Sequence, residues 1–201
     1  MVVLIHGLGD APREDWLTLI APEVRARVIM PRAPLPWGGG FGWFPFRVGD
    51  HLTAELATHL DARAQQLAAA LATLRAKRPT AGAPIVAGFS QGGMLSFALA
   101  ARDPARYSFI LPISGLLPES LWPARAPAGA ARVPIRAVHG ARDSVVPIEP
   151  ARAFVQHLKK LGYDANLTEF PELGHSIDRD LRAHVMRDLA SAVRNIRQSK
   201  R

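Results

Sequence analysis

At 201 residues the chain is long enough to bury a core of its own and is expected to form one domain over residues 1–201. It contains no cysteine, which excludes a disulfide scaffold, a thiolate metal site and a cysteine nucleophile. Its 25 basic residues against 17 acidic ones leave a formal charge of +8, but the basic residues are nearly all arginines scattered along the chain, so no nucleic-acid partner is expected.

The chain opens with no basic region and no long apolar core, so no secretory address is expected. No run approaches the roughly 18 uninterrupted apolar residues of a membrane span, and the expected compartment is the cytoplasm. Residues 2–5 read as a strand and 15–24 as a short helix. Residues 28–30 read as a strand that runs into a Pro/Gly/aromatic loop over 31–46. From Leu52 the apolar positions 52, 56, 60, 67, 71 and 74 keep one face of a helix, which Pro79 ends. Residues 84–87 are strand-like, 91–101 helical, and 108–113 and 135–139 strand-like, with an irregular excursion over 117–134 between the last two. A helix over 148–161 stops at Gly162, a last strand covers 166–170, and positions 177, 181, 185, 189, 193 and 196 mark a C-terminal helix. Strands alternating with helices predict a mostly parallel sheet with helices on both faces. In such sheets the working groups gather at the carboxyl ends of the strands.

One stretch in that position carries chemistry. Gly88-Phe89-Ser90-Gln91-Gly92 fits G-x-S-x-G, follows a predicted strand and opens a predicted helix, the context of a nucleophile elbow. A serine hydroxyl is a weak nucleophile at neutral pH and needs a base, which in turn needs an orienting acid. With this elbow they follow in the order acid, then histidine. Asp143 lies just past the strand over 135–139, and His175 lies between the last strand and the last helix. Glu169 and Glu172 are alternatives to Asp143. His51, His59, His157 and His184 fall in helical patterns and are expected to pack or face solvent, while His139 precedes the acid and is in the wrong order for the base. Ser114 also ends a strand but lacks the elbow glycines.

A tetrahedral oxyanion needs two backbone N–H groups aimed at it in advance. Gln91, after the nucleophile, is one candidate, and Leu8, in His6-Gly7-Leu8-Gly9-Asp10 after the first strand, is the other. His6 and Asp10 are expected to brace this loop by hydrogen bonds; the competing reading, a metal site, lacks a matching ligand set. Trp37, Phe41, Trp43, Phe44 and Phe46 crowd the glycine-rich loop. Trp37, Phe41, Trp43 and Phe44 are candidates for an apolar wall that receives an acyl or aromatic group; the competing reading is a loop folded into the core.

These stretches, with Gly93, Ser114-Gly115, His139-Gly140, Val146-Pro147 and Gly174-His175, resemble the phospholipase/carboxylesterase family of α/β-hydrolases, which includes bacterial carboxylesterases and acyl-protein thioesterases. The resemblance runs in order over nearly the whole chain. It implies an α/β-hydrolase fold and a serine hydrolase of carboxylic or thio esters, with Ser90 as nucleophile, Asp143 as orienting acid and His175 as base. Family members usually carry an N-terminal hairpin before the strand at which this chain begins, and it is not seen here; either the fold dispenses with the hairpin, which would expose a sheet edge, or the true start lies upstream. Thioesterase relatives usually have an acidic residue soon after the Trp and aromatic, where this chain has Trp43-Phe44-Pro45-Phe46.

The expected activity is that of a carboxylesterase for small to medium acyl chains, with no cofactor or metal and with a small-molecule ester as partner, as a monomer or homodimer. Acyl-protein thioesterase, lysophospholipase and acyltransferase use the same triad. A ligand-binding protein that keeps the fold without turnover is the alternative of another class.

Overall fold

The computed structural model describes residues 1–45 and 54–198. Phe46, His51 and Leu52 lie outside the described residues. Six strands form one sheet: β1 (Val2–Ile5), β2 (Val28–Ile29), β5 (Ile85–Phe89), β6 (Phe109–Ile113), β7 (Ile135–Gly140) and β8 (Ala165–Phe170). Their order is β2-β1-β5-β6-β7-β8 and every pairing is parallel. β2 is the edge beside β1 and is only two residues long, too short to offer a long unpaired ladder.

Period-2 alternation sorts the strand side chains onto two faces. Val3, Ile5, Val86, Ile110 and Ala137 pack with α1 (Ala54–Lys77), α2 (Gln91–Arg102) and α3 (Glu149–Lys160). Val2, Leu4, Ala87, Leu111 and Val138 pack with α4 (Arg179–Gln198) and with a short 3₁₀ turn, Glu14–Leu19. The heptad-like spacing read from the sequence gives the buried stripes: Leu56, Leu60, Leu67 and Leu71 on α1, and Leu181, Val185, Leu189 and Val193 on α4. α2 lies between α1 and the sheet and is buried at every position from Gln91 to Ala101.

Two expectations change. The helix expected over 15–24 shrinks to the 3₁₀ turn, because Pro22 disfavours a helical residue before it. The loop over 31–46 contains an antiparallel hairpin, β3 (Leu35–Trp37) and β4 (Gly40–Gly42), joined by Gly38-Gly39 with Gly38 at φ 55°. The excursion over 117–134 holds two 3₁₀ turns, Glu119–Leu121 and Ala130–Arg132. It packs onto α3, where Trp122 meets Phe154 and His157 at ring centroid distances of 5.4 and 5.0 Å.

Because β1 has β2 on one side and β5 on the other, the chain reverses its winding between β1 and β5. That switch point opens a crevice at the carboxyl ends of the two strands. The loop after β1 carries Leu8, and the turn after β5 carries Ser90.

Candidate active site

Ser90 is the single residue between β5 and α2. Its φ of 58° and ψ of −118° lie where residues with a side chain are rarely found, a strain worth roughly 1–3 kcal/mol that surrounding structure must hold. The packing explains how. A Cβ on Gly88 would sit 2.3 Å from the Gly92 carbonyl oxygen, and one on Gly92 would sit 2.1 Å from that of Ile5. Only glycine allows strand, turn and helix to approach this closely. The Ser90 N–H donates to the Ile113 carbonyl at 2.9 Å, tying the elbow to β6.

His175 stands on the loop after β8. Its Nε2 is 3.0 Å from Ser90 Oγ and its Nδ1 is 2.7 Å from Asp143 Oδ2. The Phe89 ring packs on the imidazole at 4.7 Å. The Asp143 carboxylate is fully buried, and its Oδ1 accepts the N–H groups of Val145 and Val146 at 2.9 and 2.8 Å. Burial pushes its pKa up. Hydrogen bonding from His139, His175 and the Val146 N–H outweighs this and holds the carboxyl well below its ordinary range. An ionised Asp143 only accepts, so His175 carries its proton on Nδ1 and presents Nε2 to the Ser90 hydroxyl.

The rival acids are committed elsewhere: Glu169 to Arg152 at 2.5 Å and Glu172 to Arg142 at 2.5 Å. Ser114 has φ 47° and a buried hydroxyl with no partner among the described residues. His139 is buried, and its Nε2 lies 2.8 Å from the Val146 carbonyl and 3.4 Å from Asp143 Oδ2. The sequence order set this histidine aside as a base, and His139-Gly140 entered only as one of the stretches that carry the family resemblance, with no role attached.

The loop after β1 passes directly over the elbow: a Cβ on Gly7 would lie 3.1 Å from that of Ser90. His6 is buried, donates Nδ1–H to the Gly7 carbonyl at 2.7 Å and accepts the Ala33 N–H on Nε2 at 3.1 Å. Burial lowers its pKa below the usual 6.5, which keeps the imidazole neutral in this arrangement. Asp10 accepts the Ala11 N–H and the Trp16 indole N–H, and pairs with Arg13 at 2.6 Å. Both side chains therefore brace the loop. Among the described residues no group of three or more His, Asp or Glu is arranged to hold a metal.

A cleft of about 440 Å³ opens over Ser90 and His175, with Leu8, Gln91, Trp37, Val145 and Val146 in its wall. Of the four aromatic candidates, only Trp37 lines it. Trp43 and Phe44 are 5% and 0% exposed and belong to the core, contrary to the expectation of a substrate wall. They are held there by polar contacts. The Trp43 N–H donates to Gln91 Oε1 at 2.8 Å, its indole N–H donates to the His6 carbonyl at 2.9 Å, and Gln91 Nε2 donates to the Phe44 carbonyl at 3.1 Å. Phe41 is also outside the cleft wall. Its ring is partly buried under the Arg32 guanidinium at 4.8 Å, and its backbone pairs with Gly9 and Asp10. Grooves of about 470 and 560 Å³ run beside α1, lined in common by Ala68, Arg106 and Tyr107, and contain none of the elbow or triad side chains.

A parallel sheet with a serine elbow at its switch point defines an α/β-hydrolase. The sequence matches the Phospholipase/Carboxylesterase family model over residues 1–193, and the chain belongs to that family. It is 29% identical over 195 residues to acyl-protein thioesterase 1 of Neurospora crassa, covering 87% of this chain and 79% of that one. It is 28% identical over 191 residues to a probable inactive carboxylesterase of Oryza sativa subsp. japonica, covering 88% and 78%. Among solved structures, esterase PE8 superposes with a TM-score of 0.75 at 27% identity, covering 95% of this chain and 91% of that one. Family and fold make the chain an ester-hydrolysing serine hydrolase. No described helix is long and apolar enough to cross a membrane.

Proposed function

We propose that the chain, acting as a single domain, is a carboxylesterase for carboxylic esters of small to medium acyl chains. Ser90 Oγ attacks the ester carbonyl while its proton passes to His175 Nε2, and Asp143 holds the imidazolium that forms. The carbonyl π pair moves to oxygen, where the N–H groups of Leu8 and Gln91 receive it. Collapse of the adduct breaks the ester C–O bond, and the leaving alkoxide takes the proton from His175. Water then adds to the acyl-enzyme by the same steps and releases the acid.

The observation that carries this reading is the continuous hydrogen-bonded line Ser90–His175–Asp143, at 3.0 and 2.7 Å, opening on a cleft walled by Leu8, Trp37 and two valines. A mostly apolar wall suits an uncharged acyl group. The test is a fluorophosphonate probe with peptide mapping, run beside p-nitrophenyl acetate and octanoate. Labelling at Ser90 with turnover supports the proposal. A folded protein with neither label nor turnover overturns it in favour of a ligand-binding role, the reading that the rice relative's name raises.

The likeness to an acyl-protein thioesterase favours a second reading, in which the same triad cleaves a thioester. Lysophospholipase and acyltransferase activities share that chemistry. Matched oxygen esters and thioesters of one acyl group, with lysophospholipid alongside, separate these by their kcat/KM.

A further inference from the structure

The segment that holds the acid is itself held by a second histidine. Asp143 sits past the end of β7 and takes two N–H bonds from Val145 and Val146. Those bonds fix Oδ1 only while the backbone over 143–146 keeps its turn. The Val146 carbonyl, on the far side of that turn, accepts the Nε2–H of His139 at 2.8 Å. The same nitrogen stands 3.4 Å from Asp143 Oδ2, the oxygen that receives His175. His139 is 1% exposed and the carboxylate is 0% exposed, so no solvent replaces this donor if it is lost. The carbonyl only accepts, so His139 Nε2 carries a proton. That N–H is therefore aimed between the Val146 carbonyl and the carboxylate.

We infer that His139 is a positioning residue for the reaction: its Nε2–H clamps the turn over 143–146 and presents Asp143 to His175. It touches neither Ser90 nor substrate, so its effect falls on kcat. Displacing a reacting group by about 1 Å costs on the order of 100-fold in rate.

The inference rests on the reading of Asp143 as orienting acid, and the experiment is arranged to separate the two. Three variants are compared on a p-nitrophenyl ester. His139→Leu keeps apolar volume and removes the donor, His139→Asn keeps a donor that falls short of Val146, and His139→Gln places an amide N–H near the position of Nε2. The expected result is a kcat lowered about 30- to 100-fold in the leucine and asparagine variants, KM within about twofold, and recovery to within about fivefold in the glutamine variant. Should His139→Leu fail to fold, the asparagine and glutamine pair decides. Equal kcat in those two, or a folded leucine variant with kcat within about twofold of wild type, overturns the inference. Asp143→Ala run in parallel identifies which reading failed. A large loss there beside unaffected His139 variants rejects the clamp alone, whereas an active Asp143→Ala rejects the acid assignment on which it rests.

Discussion

Asp143→Asn removes one charge and almost no volume, and the structure says which way the new amide must face. Oδ1 accepts two backbone N–H groups, from Val145 and Val146. An amide nitrogen cannot accept them, so the asparagine oxygen takes that place and the NH₂ turns toward His175 Nδ1. A donor facing Nδ1 requires that nitrogen to be the bare one. The imidazole proton then moves to Nε2, 3.0 Å from Ser90 Oγ, where a base is needed. The variant folds yet has its base protonated in the wrong place. The expected loss in kcat is about 10⁴-fold, equivalent to about 5.4 kcal/mol of transition-state stabilisation. The assay is p-nitrophenyl butyrate turnover from about pH 6 to about pH 9, with near-UV circular dichroism as the check on folding. KM is expected to change little, since no cleft wall is altered. A folded Asp143→Asn variant within about tenfold of wild-type kcat refutes the argument, because the tautomer would then not be set by Asp143.

Three further outcomes are expected. If Trp37, which lines the cleft, is an acyl wall, Trp37→Ala raises KM for p-nitrophenyl octanoate about tenfold and leaves acetate nearly unchanged; equal effects on the two esters would argue against an acyl wall at Trp37. Phe44→Ala destabilises the protein by about 3–5 kcal/mol in urea unfolding, as for a fully buried aromatic; a shift in KM at unchanged stability would instead return Phe44 to the cleft. The lowered pKa of His6 links stability to pH. The unfolded chain protonates His6 near 6.5 while the native loop resists it, so its contribution is complete above 6.5 and is lost as pH falls from there through the folded-state value. Tm measured against pH is therefore expected to fall less steeply below 6.5 in His6→Asn than in wild type, and equal slopes would remove His6 from the account.

Much of the candidate site was legible because the residues brought together there are marked by local geometry. The glycines beside Ser90 leave a signature in the chain, since strand and helix cannot meet there otherwise. The order of Asp143 and His175 follows from which strand each one ends. The apolar spacing of α1 and α4 translated directly into buried stripes. What could not be read was set by tertiary contact. β4 pairs with the loop after β1 through Gly9, Asp10 and Phe41, and a Cβ at Gly40 would fall 2.3 Å from the Gly9 carbonyl oxygen. Its glycines serve close approach to a segment about 30 residues away, which looks in sequence like mere flexibility. Bonds to Gln91 and to the His6 carbonyl hold Trp43 and Phe44 inward, so aromatic residues that the sequence places near Ser90 as a wall are foundation instead. The contact of His139 could not be read for another reason: it is a bond to the Val146 carbonyl, which no residue type advertises.

The hairpin over β3 and β4 has a stiff base and an unencumbered end. Its base is stitched to the residue after Ser90, through Gln91 to Trp43 and Phe44, so it cannot swing as a flap without dragging the elbow with it. At the opposite end, a side chain on Gly38 or Gly39 would meet nothing within 4 Å, although Gly38 itself needs its positive φ. Lengthening a surface turn costs little chain entropy, about 0.6 kcal/mol for each doubling of its length. The tip can therefore grow outward while the base of the hairpin and the Ser90 turn beneath it stay as they are. Because Gly38 and Gly39 also edge the cleft over Ser90, the same tip is the natural place to graft a longer loop that reshapes its mouth.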